Sequence, residues 1–425
     1  MTMQVAIIGG GYAGMAAAVT LAQHGVKVAV FEAGKTLGGR ARRVMANGHD
    51  VDNGQHLLLG AHTETLRLAQ LVAPATPAWL RQPLQLHTLG GLQLKAPRLP
   101  APLNTLLALL AARGITISER FAAVRFMLTQ RRADFKLAHD MPVLQLLAQH
   151  TQPARLIDQL WAPLCIAALN TPIATASAQV FLNVLRDSLA RRATDSDLIL
   201  PTRDLSALFP DPAAEFVRVR GGSVITGKTV QAITHTAAGF TVNAEPYTHL
   251  ICAVAPHQAA RLLDGLDGLD AVRRLINALH YQPIATVYLQ YPADVALTHA
   301  MLGLSGGLAQ WVFDRGLTHN QAGLLAAVIS AEGPHRELTQ AELAQRVDAE
   351  LRSALGSLPA PRAHTVIVEK RATYACVAGL QRPGQTTPLK NFYLAGDYTA
   401  SDYPATLEAA TRSGVKCAQL IMEHT

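Results

Sequence analysis

The first 32 residues carry the pattern that most restricts the fold of this chain. Residues 5–8 form a short apolar run, which predicts a buried strand, and Gly9, Gly11 and Gly14 follow it. In dinucleotide-binding folds the first glycine permits a tight turn, the second lets the backbone approach a pyrophosphate, and the third lets the next helix pack against the strand. Glu32 lies 18 residues after Gly14, where its carboxylate can accept hydrogen bonds from an adenosine ribose. We interpret the pattern as a dinucleotide site; the alternative is an ordinary glycine-rich turn.

Two further groups face the same predicted site. The helix predicted over residues 15–23, together with Tyr12 and Ala13 just before it, presents N–H groups without helical partners and a partial positive charge to the phosphates. After the second predicted strand, Gly38 and Gly39 precede Arg40, whose guanidinium can pair with a phosphate as a bidentate donor. The ribose acid does not distinguish NAD from FAD, and a solvated turn with a surface arginine is the alternative for this segment.

A second small-residue turn occurs near the C-terminus. A strand predicted over residues 391–394 runs into Gly396 and Asp397, and a last helix is predicted from about Thr406 and Leu407 to residue 422. Asp397 can hydrogen-bond a ribityl hydroxyl, and the positive end of the helix can face the flavin region that gains negative charge on reduction. The two turns and the Gly-Gly-Arg segment together predict FAD as the cofactor.

Several segments resemble those of one flavoenzyme family. The Gly-Gly-Arg segment is similar to that of FAD-dependent amine oxidases and carotenoid desaturases. Within that superfamily the chain resembles the squalene-associated FAD-dependent desaturases, also called hydroxysqualene dehydroxylases. The segments that carry the resemblance are residues 52–60, 161–171, 177–182, 204–210 and 395–399. The superfamily often has a Pro-x-Gly-Gly turn where this chain has Pro-Thr-Arg-Asp at 201–204, which counts more against a phytoene desaturase or a monoamine oxidase than against the squalene branch.

The resemblance implies a reaction and further site residues. The expected reaction is reductive dehydroxylation of hydroxysqualene to squalene, in squalene and hopanoid biosynthesis, with hydride from reduced FAD. Val230 is expected to give a backbone contact to adenine, and Gln55 and His56 lie in a loop that should face the flavin. His56 is the candidate acid for the leaving hydroxyl, with simple hydrogen bonding to flavin or backbone as the alternative. Asp402 and Tyr403 are further candidate acids.

Three other functions remain open. An oxidative polyprenoid or carotenoid desaturase would share the fold and the cofactor residues. A non-catalytic flavoprotein would carry polyprenoid lipid to a partner synthase without changing the redox state of its flavin. A soluble amine oxidase would usually need an aromatic cage, and only 5% of this chain is aromatic.

The predicted cofactor segments lie at both ends and in the middle of the chain. We therefore predict an α/β fold with a discontinuous, Rossmann-like FAD-binding domain of the glutathione-reductase type and an interleaved α+β substrate-binding domain. The first comprises residues 1–75, 216–275 and 380–425, and the second residues 76–215 and 276–379. Short apolar runs predict strands at 215–219 and 229–233, and the pattern over 85–94 predicts a hairpin.

The helical pattern of residues 103–208 includes a candidate membrane-facing insertion. Residues 103–112 are the most apolar stretch of the chain, and a helix is predicted over 117–135. Four of its apolar residues are expected to share one face: Phe121, Val124, Met127 and Leu128. Four arginines occupy the remainder: Arg120, Arg125, Arg131 and Arg132. The alternatives are a basic amphipathic helix on a membrane and a core-packed helix with a solvated face.

Composition limits the partners and the compartment. The net charge is +7, but no Lys/Arg-rich block or nucleic-acid motif occurs, so nucleic acid is not expected as a partner. Four widely spaced cysteines favour a reducing compartment over a disulfide framework, and no metal is expected. No apolar run of 18 residues predicts a transmembrane helix. We expect a cytoplasmic protein that contacts the inner membrane face and squalene-pathway synthases.

Overall fold

The computed structural model describes residues 3–75, 78–236, 238–356 and 358–423. The strands of this part are, in chain order, β1 (Gln4–Ile8), β2 (Lys27–Phe31), β3 (Arg43–Ala46), β4 (His49–Asp52), β5 (Leu58–Leu59), β6 (Trp79–Gln82), β7 (Gln85–Leu89), β8 (Gln93–Lys95), β9 (Leu198–Pro201), β10 (Ser223–Ile225), β11 (Ile233–Thr236), β12 (Gly239–Val242), β13 (Glu245–Tyr247), β14 (His249–Cys252), β15 (Tyr281–Gln290), β16 (Met301–Leu304), β17 (Trp311–Asp314), β18 (Leu324–Ser330), β19 (Ala363–Tyr374) and β20 (Phe392–Leu394). The α-helices are α1 (Tyr12–Gln23), α2 (Thr63–Val72), α3 (Leu103–Leu110), α4 (Ile117–Arg132), α5 (Val143–Gln149), α6 (Ala154–Leu156), α7 (Ala162–Leu169), α8 (Ala178–Leu185), α9 (Leu205–Leu208), α10 (Pro210–Arg218), α11 (Pro256–Leu262), α12 (Asp270–Asn277), α13 (Arg315–His319), α14 (Gln340–Leu355) and α15 (Leu407–Glu423).

A five-stranded parallel sheet gathers strands from distant parts of the chain. Its order is β10-β2-β1-β14-β20, and every neighbouring pair is parallel. Its central strands are apolar on both faces, as expected for a sheet covered on each side. Helices α1 and α15 cover one face, and the antiparallel β11-β12-β13 meander packs towards the other. The predicted α/β class with a Rossmann-like sheet is therefore confirmed.

Helix α1 lies at the centre of this layer because its side chains are small. Ala16, Ala17 and Ala18 are fully buried, and the helix packs against the parallel sheet, α10 and α15. The approach to α15 is closest at Gly414, where an added Cβ would lie 2.0 Å from the carbonyl oxygen of Ala13. The N-terminal and C-terminal helices are therefore held together at backbone contact distance.

A seven-stranded mixed sheet forms the second layer. Its order is β19-β15-β18-β17-β16-β7-β8, and β16 and β7 are its one parallel pair among the described strands. Alternate residues of β15 point to opposite faces. Val287 and Leu289 join the core against α14. On the other face, Thr286 accepts the N–H of Gln55 in the loop after β4, and the Tyr288 hydroxyl donates to the carbonyl of Asp52 at the end of β4. The hairpin predicted over 85–94 is confirmed by the β7–β8 pairing.

Two predicted strands are wrong. Residues 215–219 end helix α10, which Pro210 begins and which buries Ala213, Ala214 and Val217 at helical spacing. Residues 229–232 have no regular structure, and β11 starts only at Ile233, because the backbone first binds the end of β2 through Lys228. A short buried apolar run does not by itself distinguish a strand from a helix.

The predicted apolar face of α4 is correct for Phe121, Val124 and Leu128 but wrong for Met127. Met127 is buried, but Phe121 and Leu128 are 61% and 37% exposed. The core face consists instead of Ala122, Ala123, Phe126 and Met127. Helix α4 therefore has a second apolar face directed away from the core.

The parallel sheet takes its strands from residues 1–75, 216–275 and 380–425, and the mixed sheet takes its strands from residues 76–215 and 276–379. Helices α9 and α10, which begin before residue 216, pack with the parallel-sheet layer. The domain bounds themselves stay a prediction.

The four cysteines, Cys165, Cys252, Cys376 and Cys417, are buried free thiols. Among the described residues, no helix combines the length and the apolar character needed to cross a bilayer. The same residues contain no cluster of three His, Cys, Asp or Glu side chains suited to a metal ion.

Candidate functional site

The glycine turn after β1 has room for a ligand at one position. Gly9 has φ +113°, and an added Cβ would lie 2.6 Å from the carbonyl oxygen of Ala253. At Gly14 an added Cβ would lie 1.9 Å from the oxygen of Gly9. At Gly11, in contrast, the nearest atom to an added Cβ is the Cα of Gly39 at 3.8 Å. A side chain at position 9 or 14 would therefore collide with the protein itself. At Gly11 there is space for a dinucleotide, whose pyrophosphate is expected to approach the backbone there.

Glu32 is held beside this turn. Its two carboxylate oxygens accept the N–H groups of Gly10 and Gly34, each at 2.7 Å. The carbonyl of Glu32 accepts the N–H of Lys228, which brings the nearby Val230 to the same end of the sheet. Val230 is 7% exposed. The predicted ribose and adenine contacts are therefore adjacent, and their roles stay predictions.

Tyr12 and Ala13 face the interior. The Tyr12 hydroxyl donates to the carbonyl of Leu205 at 2.9 Å, and its ring packs on Phe209. Ala13 is buried against α15 at Gly414. Only their backbone N–H groups, in the first turn of α1, remain as means of binding phosphate.

Arg40 connects the two predicted cofactor signatures. The Gly38 N–H donates to the carbonyl of Gly10, which places the Gly-Gly-Arg segment against the glycine turn. From there Arg40 forms an ion pair with Asp397 at 2.5 Å and donates to the carbonyl of Ala372 at 2.7 Å. The predicted phosphate contact of Arg40 stays a prediction, and the structure adds that this guanidinium orients the acid of the C-terminal turn.

The C-terminal turn leads to the start of α15. The Gly396 N–H donates to Ser413 of α15 at 2.8 Å, and an added Cβ at Gly396 would lie 2.5 Å from the Tyr398 ring. The Thr406 hydroxyl accepts the N–H of Ala409 at 3.1 Å, so Thr406 caps the helix and Leu407 is its first residue. The helix N-terminus is therefore fixed relative to the turn, as a site for the electron-rich end of a flavin requires.

Arg382 holds the loop that follows Asp397, and the sequence analysis missed it. Its guanidinium donates to the Tyr374 hydroxyl at 2.7 Å, to the carbonyl of Thr399 at 3.0 Å and to that of Ser401. These partners lie 8 to 19 residues away along the chain, and no local pattern links them.

The loop with His56 lies between Arg40 and the mixed sheet. The Asn53 side chain donates to the carbonyl of Arg40 at 3.1 Å, and the Gln55 N–H donates to Thr286 at 3.2 Å. His56 Nδ1 lies 2.7 Å from the carbonyl oxygen of Gly54, which assigns the proton to Nδ1 and leaves a lone pair on Nε2. Burial lowers the pKa of His56, and the Arg40 charge lowers it further, so the imidazole is neutral at neutral pH.

A buried charged pair behind this loop was also missed. Arg315 is fully buried and donates to Gln55 Oε1 at 2.8 Å, so the Gln55 side chain points inward. Its Nη1 lies 4.0 Å from Asp52, whose other oxygen accepts the N–H of Leu205 at 2.6 Å. Burial raises the pKa of Asp52 to about 7 although Arg315 opposes the shift. This pair fixes the loop of Gln55 and His56 from inside.

The other two candidate acids lie in the loop before α15. The Asp402 side chain is 73% exposed and lies 4.0 Å from Arg186. Burial raises the pKa of Tyr403 to about 12, so this phenol stays protonated at neutral pH. The structure thus offers a neutral imidazole, an exposed carboxylate and a protonated phenol around the predicted site.

A parallel sheet with a glycine turn after its first strand, and a second turn that leads to a helix N-terminus, is the arrangement of a dinucleotide-binding fold. The chain belongs to the flavin-containing amine oxidoreductase family, which matches residues 12–422, and its cofactor is FAD. It is 29% identical to the hydroxysqualene dehydroxylase of Rhodopseudomonas palustris over 99% of both chains. It is 24% identical to a probable zeta-carotene desaturase of Synechococcus elongatus, again over 99% of both. The cyclohexylamine oxidase of Brevibacterium oxydans has the same fold, with 18% identity, a TM-score of 0.73 and coverage of 100% of this chain and 99% of the other.

Proposed function

We propose that this protein reductively removes the hydroxyl group of hydroxysqualene and releases squalene, in squalene and hopanoid biosynthesis. The observation that carries the proposal is the similarity to a hydroxysqualene dehydroxylase over nearly the whole of both chains. When bound and reduced, FAD supplies the hydride that replaces the hydroxyl, so that the alcohol and FADH₂ give squalene, water and FAD.

The residues of the chain hold the cofactor and supply the proton. Gly11, the first turn of α1 and Glu32 form the dinucleotide half of the site, and Asp397 with the N-terminus of α15 forms the flavin half. Arg40 joins the halves through its 2.5 Å ion pair with Asp397. His56 is the proposed acid: after protonation at Nε2 it donates to the leaving oxygen, while Nδ1 stays bound to the Gly54 carbonyl.

The test of the reaction is a single turnover without oxygen. Holoenzyme is reduced, freed of excess reductant and mixed with detergent-dispersed hydroxysqualene. We expect one squalene per flavin, together with the return of the oxidised flavin spectrum. Squalene itself is the control substrate and should leave the flavin reduced. Flavin that stays reduced with hydroxysqualene would exclude the proposal.

The role of His56 predicts a pH dependence. Because burial lowers its pKa below 6.5, a protonated His56 becomes more abundant as the pH falls, and kcat/KM should rise in that direction. His56→Gln should lose this rise and retain FAD, with a rate loss of about 10²–10⁴-fold. Undiminished turnover in both His56→Gln and His56→Ala would remove His56 from the mechanism.

An oxidative desaturase is the second candidate, because a probable zeta-carotene desaturase is similar over 99% of both chains. In that case oxidised holoenzyme with a saturated polyprenoid segment would yield a new double bond and reduced flavin. The same anaerobic spectra distinguish the two reactions, since the flavin changes in opposite directions. A lipid carrier would leave the redox state of the flavin unchanged with either substrate.

The proposed location is the cytoplasm, with peripheral contact to the inner membrane face and to the synthases that supply the substrate. Four buried free thiols support a reducing compartment. The substrate is a thirty-carbon lipid that resides in the bilayer, so the enzyme has to obtain it there.

A further inference from the structure

Helix α3 exposes two leucines although it buries two polar residues. Asn104 and Thr105 are buried beside Ala108 and Leu109, and the Thr105 hydroxyl donates to the carbonyl of Leu189 at 3.0 Å. Leu103 and Leu107 face outward and are 54% and 41% exposed. Large apolar side chains exposed side by side mark a candidate interaction surface.

Helix α4 continues this exposed apolar surface. Ile117 and Phe121 are 67% and 61% exposed, and Leu128 is 37% exposed. Together with half-buried Val124 they follow one another at spacings of four, three and four residues, which places them on a single stripe of the helix. The stripe lies opposite the core face of Ala122, Ala123, Phe126 and Met127. We name the exposed side chains Leu103, Leu107, Ile117, Phe121 and Leu128 the α3–α4 face.

Arginines border the stripe on both sides. At about 100° per residue, Arg120 and Arg131 lie along one edge of it, and Arg125 and Arg132 lie along the other. Over residues 95–132 the chain has seven basic residues and one acidic residue, Glu119. The Glu119 side chain is only 7% exposed, because it caps the start of α4 and pairs with Arg155. Residues 95–132 therefore carry a net positive charge, and their one acidic side chain is largely buried.

An open cleft adjoins the face. It has a volume of about 480 Å³ and is lined by Ala96, Pro97, Leu107, Leu110 and Ala111, with Lys95 beside them. Its lining is mainly apolar, and Leu107 belongs both to the cleft and to the α3–α4 face. The cleft therefore extends the exposed apolar surface beyond the two helices.

We propose that the α3–α4 face lies on the surface of a lipid bilayer that contains anionic lipids. An apolar stripe bordered by arginines fits the acyl–headgroup boundary, where the stripe enters the hydrocarbon and the guanidinium groups extend to the phosphates. This proposal rests on the proposed function for the identity of the lipid substrate. The membrane surface itself is tested by vesicle binding without substrate.

The experiment measures binding of holoenzyme to phosphatidylcholine vesicles with and without phosphatidylglycerol, by co-sedimentation. The first variant is Ile117→Ser with Phe121→Ser, which removes the two most exposed side chains of the stripe. The second is Arg125→Gln with Arg131→Gln and Arg132→Gln. Arg120 is left in place because it bonds the carbonyl of Leu110 at the end of α3. Val219→Ser is the matched control, since Val219 is as exposed as Ile117, at 67%, but lies after α10.

We expect wild type and the Val219 variant to bind anionic vesicles equally and to dissociate at high salt. The apolar variant should lose binding on the order of a hundredfold. The arginine variant should lose the preference for anionic vesicles by a similar factor, because each basic residue near the surface contributes about tenfold or less. FAD content and the melting temperature should stay unchanged, because all the substituted side chains are exposed.

Wild type that does not bind anionic vesicles, or an apolar variant that binds as wild type does, would overturn the proposal. A wild-type dimer that the apolar variant converts to a monomer, without vesicle binding, would assign the face to a second copy of the chain instead. Turnover of detergent-dispersed hydroxysqualene separates the two proposals. Activity without vesicle binding rejects only the membrane surface, and vesicle binding without squalene formation rejects only the reaction.

Discussion

At the residue scale, the three glycines of the first turn have different reasons to be glycine. Positions 9 and 14 require glycine because a Cβ there would collide with backbone atoms, whereas a Cβ at Gly11 would meet no protein atom closer than 3.8 Å. We therefore expect Gly9 and Gly14 to be needed for folding, and Gly11 to be needed for cofactor binding.

Gly11→Ala should therefore weaken FAD binding without affecting the apoprotein. Its φ of −78° suits alanine, and an added Cβ meets no protein atom closer than 3.8 Å. We expect an unchanged melting temperature of the apoprotein and an FAD dissociation constant raised by ~10–100-fold. Gly14→Ala is the matched control and should destabilise the apoprotein itself. A Gly11 variant with wild-type FAD affinity would contradict the site.

Asp52 predicts a pH dependence of stability. Its pKa is about 7 in the folded chain against 3.8 when exposed, so between these values the folded state holds a proton that the unfolded state releases. The contribution of Asp52 to the free energy of unfolding is fully present at low pH, and it is lost as the pH rises through about 7. Asp52→Asn removes the effect and retains an oxygen that can accept the Leu205 N–H.

The measurement is urea unfolding of both proteins at about pH 5 and about pH 8. Relative to wild type, the Asp52→Asn variant should gain ~1–3 kcal/mol of unfolding free energy on going to the higher pH. A difference between the two proteins that does not change with pH would contradict a raised pKa.

At the element scale, helices α2 and α15 share one carboxylate. Glu408 of α15 is 1% exposed and accepts the N–H groups of Glu64 and Thr65 at 3.0 and 2.9 Å. It also accepts Arg412 at 2.7 Å. The first turn of α2 is thus capped by a residue that lies more than 340 positions later in the sequence.

Glu408→Ala should lower the free energy of unfolding by ~2–4 kcal/mol, because two buried N–H groups and an arginine lose their acceptor. Glu408→Gln keeps an acceptor oxygen and should cost less. Glu215→Ala is the control: its side chain is 68% exposed, so we expect a change within ~0.5 kcal/mol. Chemical denaturation measures all three, and equal costs at positions 408 and 215 would contradict the capping role.

The elements show which parts of the fold local sequence can predict. The strand predicted over 391–394 and the hairpin predicted over 85–94 lie within a residue of β20 and of the β7–β8 pair, because a glycine turn adjoins each of these short runs. Helix α10 was taken for a strand because its apolar residues also fit a short buried run. For α4 the sequence left open whether the apolar face meets the core or a membrane, because periodicity does not tell which of two apolar faces is buried.

The candidate site also has a part that local sequence predicts and a part that it does not. The glycine spacing predicted the two turns, because the residues that form each turn are close together in the sequence. Pairs such as Arg315 with Gln55, or Arg382 with the loop after Asp397, join residues from different elements. Without the fold, no spacing rule brings those residues together.

At the scale of the whole molecule, the cofactor site is assembled from both ends of the chain. Its two halves are connected by the pair of Arg40 and Asp397, which are 357 residues apart in the sequence. A ligand that contacts both halves should stabilise the whole parallel-sheet layer, not one loop.

Removal of FAD should therefore lower the melting temperature of the protein, and FAD at about a thousandfold excess over its dissociation constant should restore about 4 kcal/mol. Scanning calorimetry of apoprotein and reconstituted holoprotein measures the difference. ADP, which reaches only the half around Gly11 and Glu32, is the control and should restore less. Equal melting with and without FAD would contradict a site shared by the two ends.

The strand order of the parallel sheet also governs the moment at which the enzyme can mature. Strand β20 pairs with β14 and carries the chain into the Asp397 turn, yet a ribosome makes it long after the glycine turn that follows β1. We therefore expect a nascent chain to hold the glycine turn without its partner turn, and to capture flavin only after β20 and α15 have been made.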